Sequence, residues 1–174
     1  MNPVADLARN FQELVAQVPD LVQPLIVVLA GAVPFIEGEG ATAIGVVGGL
    51  HPLLAGVAAA VGNFLSVLVV VLVSSRARVA AVNRRAGRAG AAGTALAEPE
   101  SKGRRRFRRW LVRFGVPGAS LLGPLAIPTQ FTSAMLVATG IPRGRVLLWQ
   151  GIAIVLWTTA TTVVVWGVLT AVLT

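Results

Sequence analysis

The chain has 174 residues, of which 55% are hydrophobic and 13% charged, with a mean hydropathy of +0.78 and a formal net charge of +8. Too few polar residues exist to cover a soluble surface, so composition excludes an ordinary soluble domain and points to an integral membrane protein. Cysteine is absent, which excludes a disulfide framework, a thiolate metal site and a thiol nucleophile.

Residues 1–20 hold the first predicted element. Val4, Leu7, Ala8, Phe11, Leu14, Val15 and Val18 recur at helical spacing, so residues 3–18 read as an amphipathic helix suited to the outer membrane surface. Asp6, Arg9 and Glu13 stand where a secretory signal would carry a basic head and an apolar run. The apolar segments further on are therefore expected to act as the insertion signals.

Residues 21–50 are apolar but interrupted, most densely in PFIEGEGATAIGVVGGLHP at 34–52. The 13 residues from Leu21 to Val33 make a helix of about 20 Å, too short for a hydrocarbon core of about 30 Å. The expected form is a re-entrant hairpin: a half-helix in, a tip at Pro34–Gly40, and a half-helix back to the same face. A kinked spanning helix is the alternative. Residues 53–75 carry no formal charge and can span, so 21–75 reads as one unit.

A basic connection follows at 76–109. Arg104, Arg105, Arg106, Arg108 and Arg109 surround Phe107, a pattern shared with nucleic-acid binders, yet the cluster abuts a membrane segment. Anionic lipid headgroups are the expected partner, and nucleic acid is not. Arg113, Arg143 and Arg145 extend the same headgroup-facing set, and Trp110 and Trp149 suit the interfacial belt.

The interrupted character returns at 110–140, through GPLAIPTQFTSAMLVATGIP at 123–142, and is followed by a charge-free span at 146–172, so 110–174 reads as a second unit. Pro34 and Pro52 are 18 apart, as are Pro124 and Pro142, and the pairs match at an offset of 90, with Thr42 falling on Thr132. The chain reads as two copies of one unit. Each unit makes one net crossing, so consecutive copies take opposite orientations and form an inverted repeat. Charge agrees, because 14 of the 15 Lys and Arg residues lie within 76–113 or at Arg143 and Arg145. These segments belong on the cytoplasmic face of a plasma or inner membrane, with both termini outside. Non-helical backbone at mid-depth must be covered by protein or water, so the tips 34–40 and 124–130 are expected to meet.

Glu37 and Glu39 lie in these apolar surroundings and must be solvated by a cavity, paired with a cation, or protonated. A carboxyl so placed can exchange a proton for a cationic substrate, which is the chemistry of proton-coupled transport. The structural alternative is that Glu37 caps the following half-helix while Glu39 sits in its first turn. Pro34 and Pro128 shape the two tips. Thr129, Gln130, Thr132 and Ser133 offer hydrogen bonds from the second tip, and Asn63 stands beside Gly62 near the first hairpin. Transport ranks first, and lipid translocation second. No metal cluster, nucleophile–histidine pair or phosphate-binding loop points to an enzyme, and no cofactor is expected. Two full spans per chain are compatible with a homodimer.

The same residues carry a resemblance. PFIEGEGATAIGVVGGLHP followed by Gly62 and Asn63, and GPLAIPTQFTSAMLVATGIP followed by a Trp-containing span, resemble the small multidrug export protein family, itself similar to the DedA, or VTT, membrane proteins. The resemblance covers roughly 24–167. It implies two re-entrant hairpins meeting from opposite faces, with an acidic residue after a proline in the first and a proline followed by arginine in the second. Glu37 and Glu39 match the acidic element. Ile127, Pro128, Thr129 and Gln130 match the proline element, except that Thr129 or Gln130 replaces the basic residue, which counts against phosphate recognition at this tip. The function implied is export of a small amphipathic substrate, or alternatively translocation of polyprenyl phosphate or phospholipid.

Topology is testable with single cysteines in this cysteine-free chain. An impermeant thiol reagent applied to intact cells should label Asn2→Cys and Thr174→Cys and leave Gly90→Cys untouched. The opposite pattern would reverse the orientation.

Overall fold

The computed structural model describes residues 3–89 and 102–173. Among the described residues the regular structure is entirely helical: α1 (Pro3–Gln17), α2 (Gln23–Ala32), α3 (Glu37–Val47), α4 (Pro52–Ala89), α5 (Lys102–Leu122), α6 (Thr129–Ala138) and α7 (Arg143–Leu173), with a short 3-10 turn at Gly123–Leu125. Two helices are long and apolar enough to cross a membrane, over Pro52–Arg84 and Arg143–Val172. On α4, Leu53, Val57, Val61, Leu65, Val69 and Val73 form one exposed apolar stripe at four-residue spacing.

α4 continues well past the 53–75 span expected from hydropathy. Ala, Val and Arg predominate in 76–86, all compatible with helix, and no proline interrupts the run. Loss of apolarity therefore does not end the helix. The basic connection is helical at both ends, through 89 and again from Lys102, while residues 90–101 lie outside the described residues. α5 is broken at Gly115, whose φ of 67° suits glycine and separates the basic segment from the short apolar 116–122. Pro117 falls in the first turn of that second segment, where its missing N–H does no harm.

α3 and α6 end alike. Gly49 has φ 96° and Gly140 φ 98°, with Leu50 N–H donating to Gly45 O at 3.0 Å and Ile141 N–H to Leu136 O at 3.3 Å. Both are left-handed glycine caps of the Schellman type, and Pro52 or Pro142 then leads into the next long helix.

Two buried clusters result. Val27, Ala30, Ile44, Ala55 and Ala59 join α2, α3 and the first part of α4, while Val67, Val71, Ala119, Leu136 and Ile154 join α4, α5, α6 and α7. α1 is seated on the first cluster through Val15, which is fully buried against Gly48. Glycines let α2 and α4 approach backbone to backbone: a β-carbon on Gly31 would fall 2.5 Å from Ala59 O, and one on Gly62 would overlap the Val28 carbonyl.

Gly62→Ala must push against backbone that cannot yield, so it should destabilise by about 1–3 kcal/mol despite its better helix propensity. Gly167→Ala, with nothing within 4 Å, should be neutral or stabilising. Thermal unfolding of both in detergent checks the contrast, and equal midpoints would contradict the close α2–α4 contact.

Candidate functional site

The turn between α2 and α3 holds two non-glycine residues in the left-handed region, Phe35 at φ 72° and Glu37 at φ 53°. Each such conformation costs about 1–3 kcal/mol and persists only where other contacts enforce it. Those contacts come from α6. Pro128 stands at its N-cap with no side-chain acceptor, so the first N–H of α6 has no local partner. Glu37 fills that role from across the molecule. Its Oε1 accepts the Thr129 backbone N–H at 2.6 Å and the Thr129 hydroxyl at 2.5 Å. A carboxylate at the positive end of the α6 dipole is the favourable arrangement.

The aromatic pair beside this bond fixes how the tips pass. Phe35 and Phe131 stack with centroids 6.2 Å apart and planes tilted by 51°. Residues 35 and 37 meet 131 and 129 in opposite order, so the two tips run antiparallel where they touch.

Around Thr129 the polar groups are connected. Its Oγ1 lies 3.0 Å from Asn63 Oδ1. Gln130 Nε2 donates to Ser66 Oγ at 2.8 Å and reaches Asn63 Oδ1 at 3.5 Å, and Ser66 Oγ donates to Asn63 O at 3.1 Å. Glu37 is 6% exposed, Asn63 0%, Thr129 1% and Gln130 4%, so water competes little for these bonds. A hydroxyl has a single proton to give. With Glu37 ionised, Thr129 donates to it. With Glu37 protonated, the acid donates to Thr129 Oγ1 and the hydroxyl proton turns to Asn63 Oδ1. Both protonation states are thus accommodated by rotation of one hydroxyl.

Of the residues singled out in the sequence, Glu37, Asn63, Thr129 and Gln130 come together, and buried Pro128 directly precedes them. Pro34 is exposed in the turn, and Glu39 is half-buried in the first turn of α3, outside this network. Glu37 does not cap its own helix, contrary to the structural alternative above: α3 has no side-chain cap, because the carboxylate is turned towards α6. Arg105, Arg109, Arg113, Arg143 and Arg145 are exposed, whereas the side chains of Arg104, Arg106 and Arg108 lie outside the described residues.

Sequence reasoning missed Ser66, Thr158, Thr162 and Gln150. Ser66 is one turn from Asn63, and Gln150, Thr158 and Thr162 fall at multiples of four on α7, so helical spacing was the available signal. Thr42 and Thr162 join α3 to α7 with hydroxyls 2.8 Å apart. Thr158 Oγ1 and both amide atoms of fully buried Gln150 take no hydrogen bond from the described residues.

No protein-family model, curated protein or solved structure matches the chain. The geometry at Glu37 is therefore the basis for a functional reading.

The bond between the tips is measurable as a coupling energy. Glu37→Gln, Thr129→Val and the double variant, compared by unfolding in detergent, should show coupling of about 1–3 kcal/mol, the range for a hydrogen bond to a charged group and for residues in contact. Additive effects would mean that the two side chains do not interact.

Proposed function

We propose that this chain is an integral membrane transporter of small amphipathic substrates, coupled to protons through Glu37. In this reading α4 and α7 span the bilayer. The α2–α3 pair and the pair formed by 116–122 with α6 are re-entrant hairpins entering from opposite faces, as the resemblance to small multidrug export and DedA-type proteins implies. The observation that carries it is the buried Glu37 carboxylate held by two donors of Thr129, within a network that fits either protonation state. A buried ionisable group at a broken-helix tip is an expensive placement, characteristic of ion and substrate paths.

Further support comes from the repeated layout. α3 and α4 begin at Glu37 and Pro52, α6 and α7 at Thr129 and Arg143, and the same glycine cap closes α3 and α6. The antiparallel passage of the tips fits an inverted repeat. The exposed apolar stripe on α4 fits contact with lipid, and Val4, Leu7 and Leu14 leave α1 an apolar face for the membrane surface. Anionic headgroups suit Arg105, Arg109, Arg113, Arg143 and Arg145 at the cytoplasmic side.

A lipid-phosphate translocase is the second reading, favoured by Arg78. Its guanidinium lies against Gly140 at the end of α6 and lines a cleft with Ser74, Ala134 and Ala138, offering a phosphate contact in the second half of the molecule.

Proteoliposomes with and without a pH gradient, given a cationic amphiphile or labelled polyprenyl phosphate, separate the two. Substrate-driven proton flux with the cation is expected in wild type and should be lost in Glu37→Gln, with Glu39→Gln affected less. Flux unchanged in both single variants and in the double variant would make the carboxylates structural and remove the transport assignment.

A further inference from the structure

Thr42 and Thr132 occupy equivalent places in the two halves, 90 residues apart, and both are buried. Thr42 has a partner, since its hydroxyl lies 2.8 Å from that of Thr162. Thr132 Oγ1 has none among the described residues, and the same holds for Ser120 Oγ and for both amide atoms of Gln150. Hydroxyls in apolar helices ordinarily bond back to their own backbone, as Ser133 does to Thr129 O at 2.7 Å and Thr162 to Thr158 O at 2.7 Å. Two further unpaired groups, on Asn63 and Thr158, adjoin the Glu37 tip, with Thr158 packed against Gly38. Among the described residues α1, α2 and α3 contribute none.

Ser120, Thr132 and Gln150 share one core and one depth. Val116 precedes Ser120 by a turn, Leu136 follows Thr132 by a turn, and Val146 and Ile154 flank Gln150 by a turn each; all four belong to the second apolar cluster. Thr132 Oγ1 would lie 3.1 Å from a β-carbon on Gly123, one turn beyond Ser120. Between α4 and α7, Gly56 meets Thr162 and Phe64 meets Gly151, an antiparallel register that sets Gln150 level with Ser66. Ser66 Oγ in turn accepts Gln130 Nε2 at 2.8 Å. Three helices therefore turn unpaired polar groups into one apolar core, on the Arg143 side of the Glu37 network. From Arg143 to Gln150 is about 10 Å along α7.

We infer that this second core opens to the cytoplasmic face as a water-lined passage through which Glu37 exchanges its proton. The inference rests on the transport reading and supplies its cytoplasmic half-path, since α5 enters this core from the arginine-rich segment and α7 from Arg143. Ser120 and Gln150 are 0% exposed and Thr132 1%, so solvent reaches them only when the helices separate. Such a core is poised between two states: apolar contacts hold it shut, and three polar side chains gain hydration when it opens. The first core carries no such bias. Its buried Thr42 is paired, and α2 backbone meets α4 backbone at Gly31 and Gly62. Gln130 is the inner door, because its bonds to Ser66 and Asn63 stand between Glu37 and the passage. Once Gln130 swings aside, the proton passes from the Glu37 carboxyl to water in the passage and on to the cytoplasm, leaving the carboxylate bonded to Thr129.

The test is cysteine accessibility in this cysteine-free chain. Ser120→Cys, Thr132→Cys and Gln150→Cys, each in the full chain, are exposed in inverted membrane vesicles to an impermeant quaternary-ammonium thiosulfonate, and adducts are read by mass after purification. Thr42→Cys is the matched control, as deeply buried as Thr132. The three second-core cysteines should react about tenfold faster than Thr42→Cys, and only from the cytoplasmic side. Gln150→Leu removes the unpaired amide at similar volume, which favours the shut core, so it should slow the labelling of Thr132→Cys several-fold. An amide with no part in opening would leave that rate unchanged, and this result would overturn the inference. Equal rates at Thr132→Cys and Thr42→Cys, or faster labelling from the external face in right-side-out vesicles, would overturn it as well. If Gln150→Leu fails to fold, the two threonine variants still decide the question. Labelling is read without flux. Second-core labelling as expected with no proton-coupled flux sinks the transport reading alone, and intact proton-coupled flux with unreactive second-core cysteines sinks the passage alone.

Discussion

The carboxylate of Glu37 bonds to a residue 92 positions away, and much of the local structure is arranged to let it do so. Phe35 and Glu37 adopt left-handed backbone without glycine. α6 begins at a proline, so no Ser, Thr or Asp at its N-cap competes for the Thr129 N–H. A local cap at 128 would satisfy α6 by itself and leave Glu37 buried without a donor, which is far more costly than the loss of an exposed cap. The long-range cap is thus both a structural tie and the source of the site's chemistry.

Asn63 shows how the site is embedded. On α4 it falls between Ala59, which belongs to the cluster with α2 and α3, and Val67, which belongs to the cluster with α5, α6 and α7. The polar network therefore occupies the seam between two apolar cores, with α4 as their common wall. Separation of the cores would expose the network, and disturbance of the network would loosen both cores at once.

Much of the helical frame was legible in the sequence because prolines and glycines mark its corners. Pro34, Pro52, Pro124 and Pro142 each stand in a turn or at a helix start, and apolar length alone identified the two long helices. Glu37 was conspicuous as a charge in an apolar run. Thr129 stood out only through its match to the proline element; that it takes the carboxylate, and not Thr132 or Ser133, depends on how the tips cross. The extension of α4 to Ala89 was missed because hydropathy was read as a helix boundary, when charged residues interrupt burial and not backbone hydrogen bonding. Ser66 and Thr158 were missed because a hydroxyl in an apolar helix is ordinarily silent, and only its orientation in the fold reveals otherwise.

Among the described residues, the glycine contacts between α2 and α4 have no counterpart in the second half. Gly31 and Gly62 bring backbone onto backbone, whereas Gly118 faces the Phe114 side chain, Gly123 the Thr132 side chain and Gly151 the Phe64 ring. Contacts through backbone resist sliding, while contacts through side chains yield by rotamer changes. The two halves are therefore mechanically unequal. α2 is fixed to α4 like a stator, whereas the glycines of the second half pack against side chains that can turn.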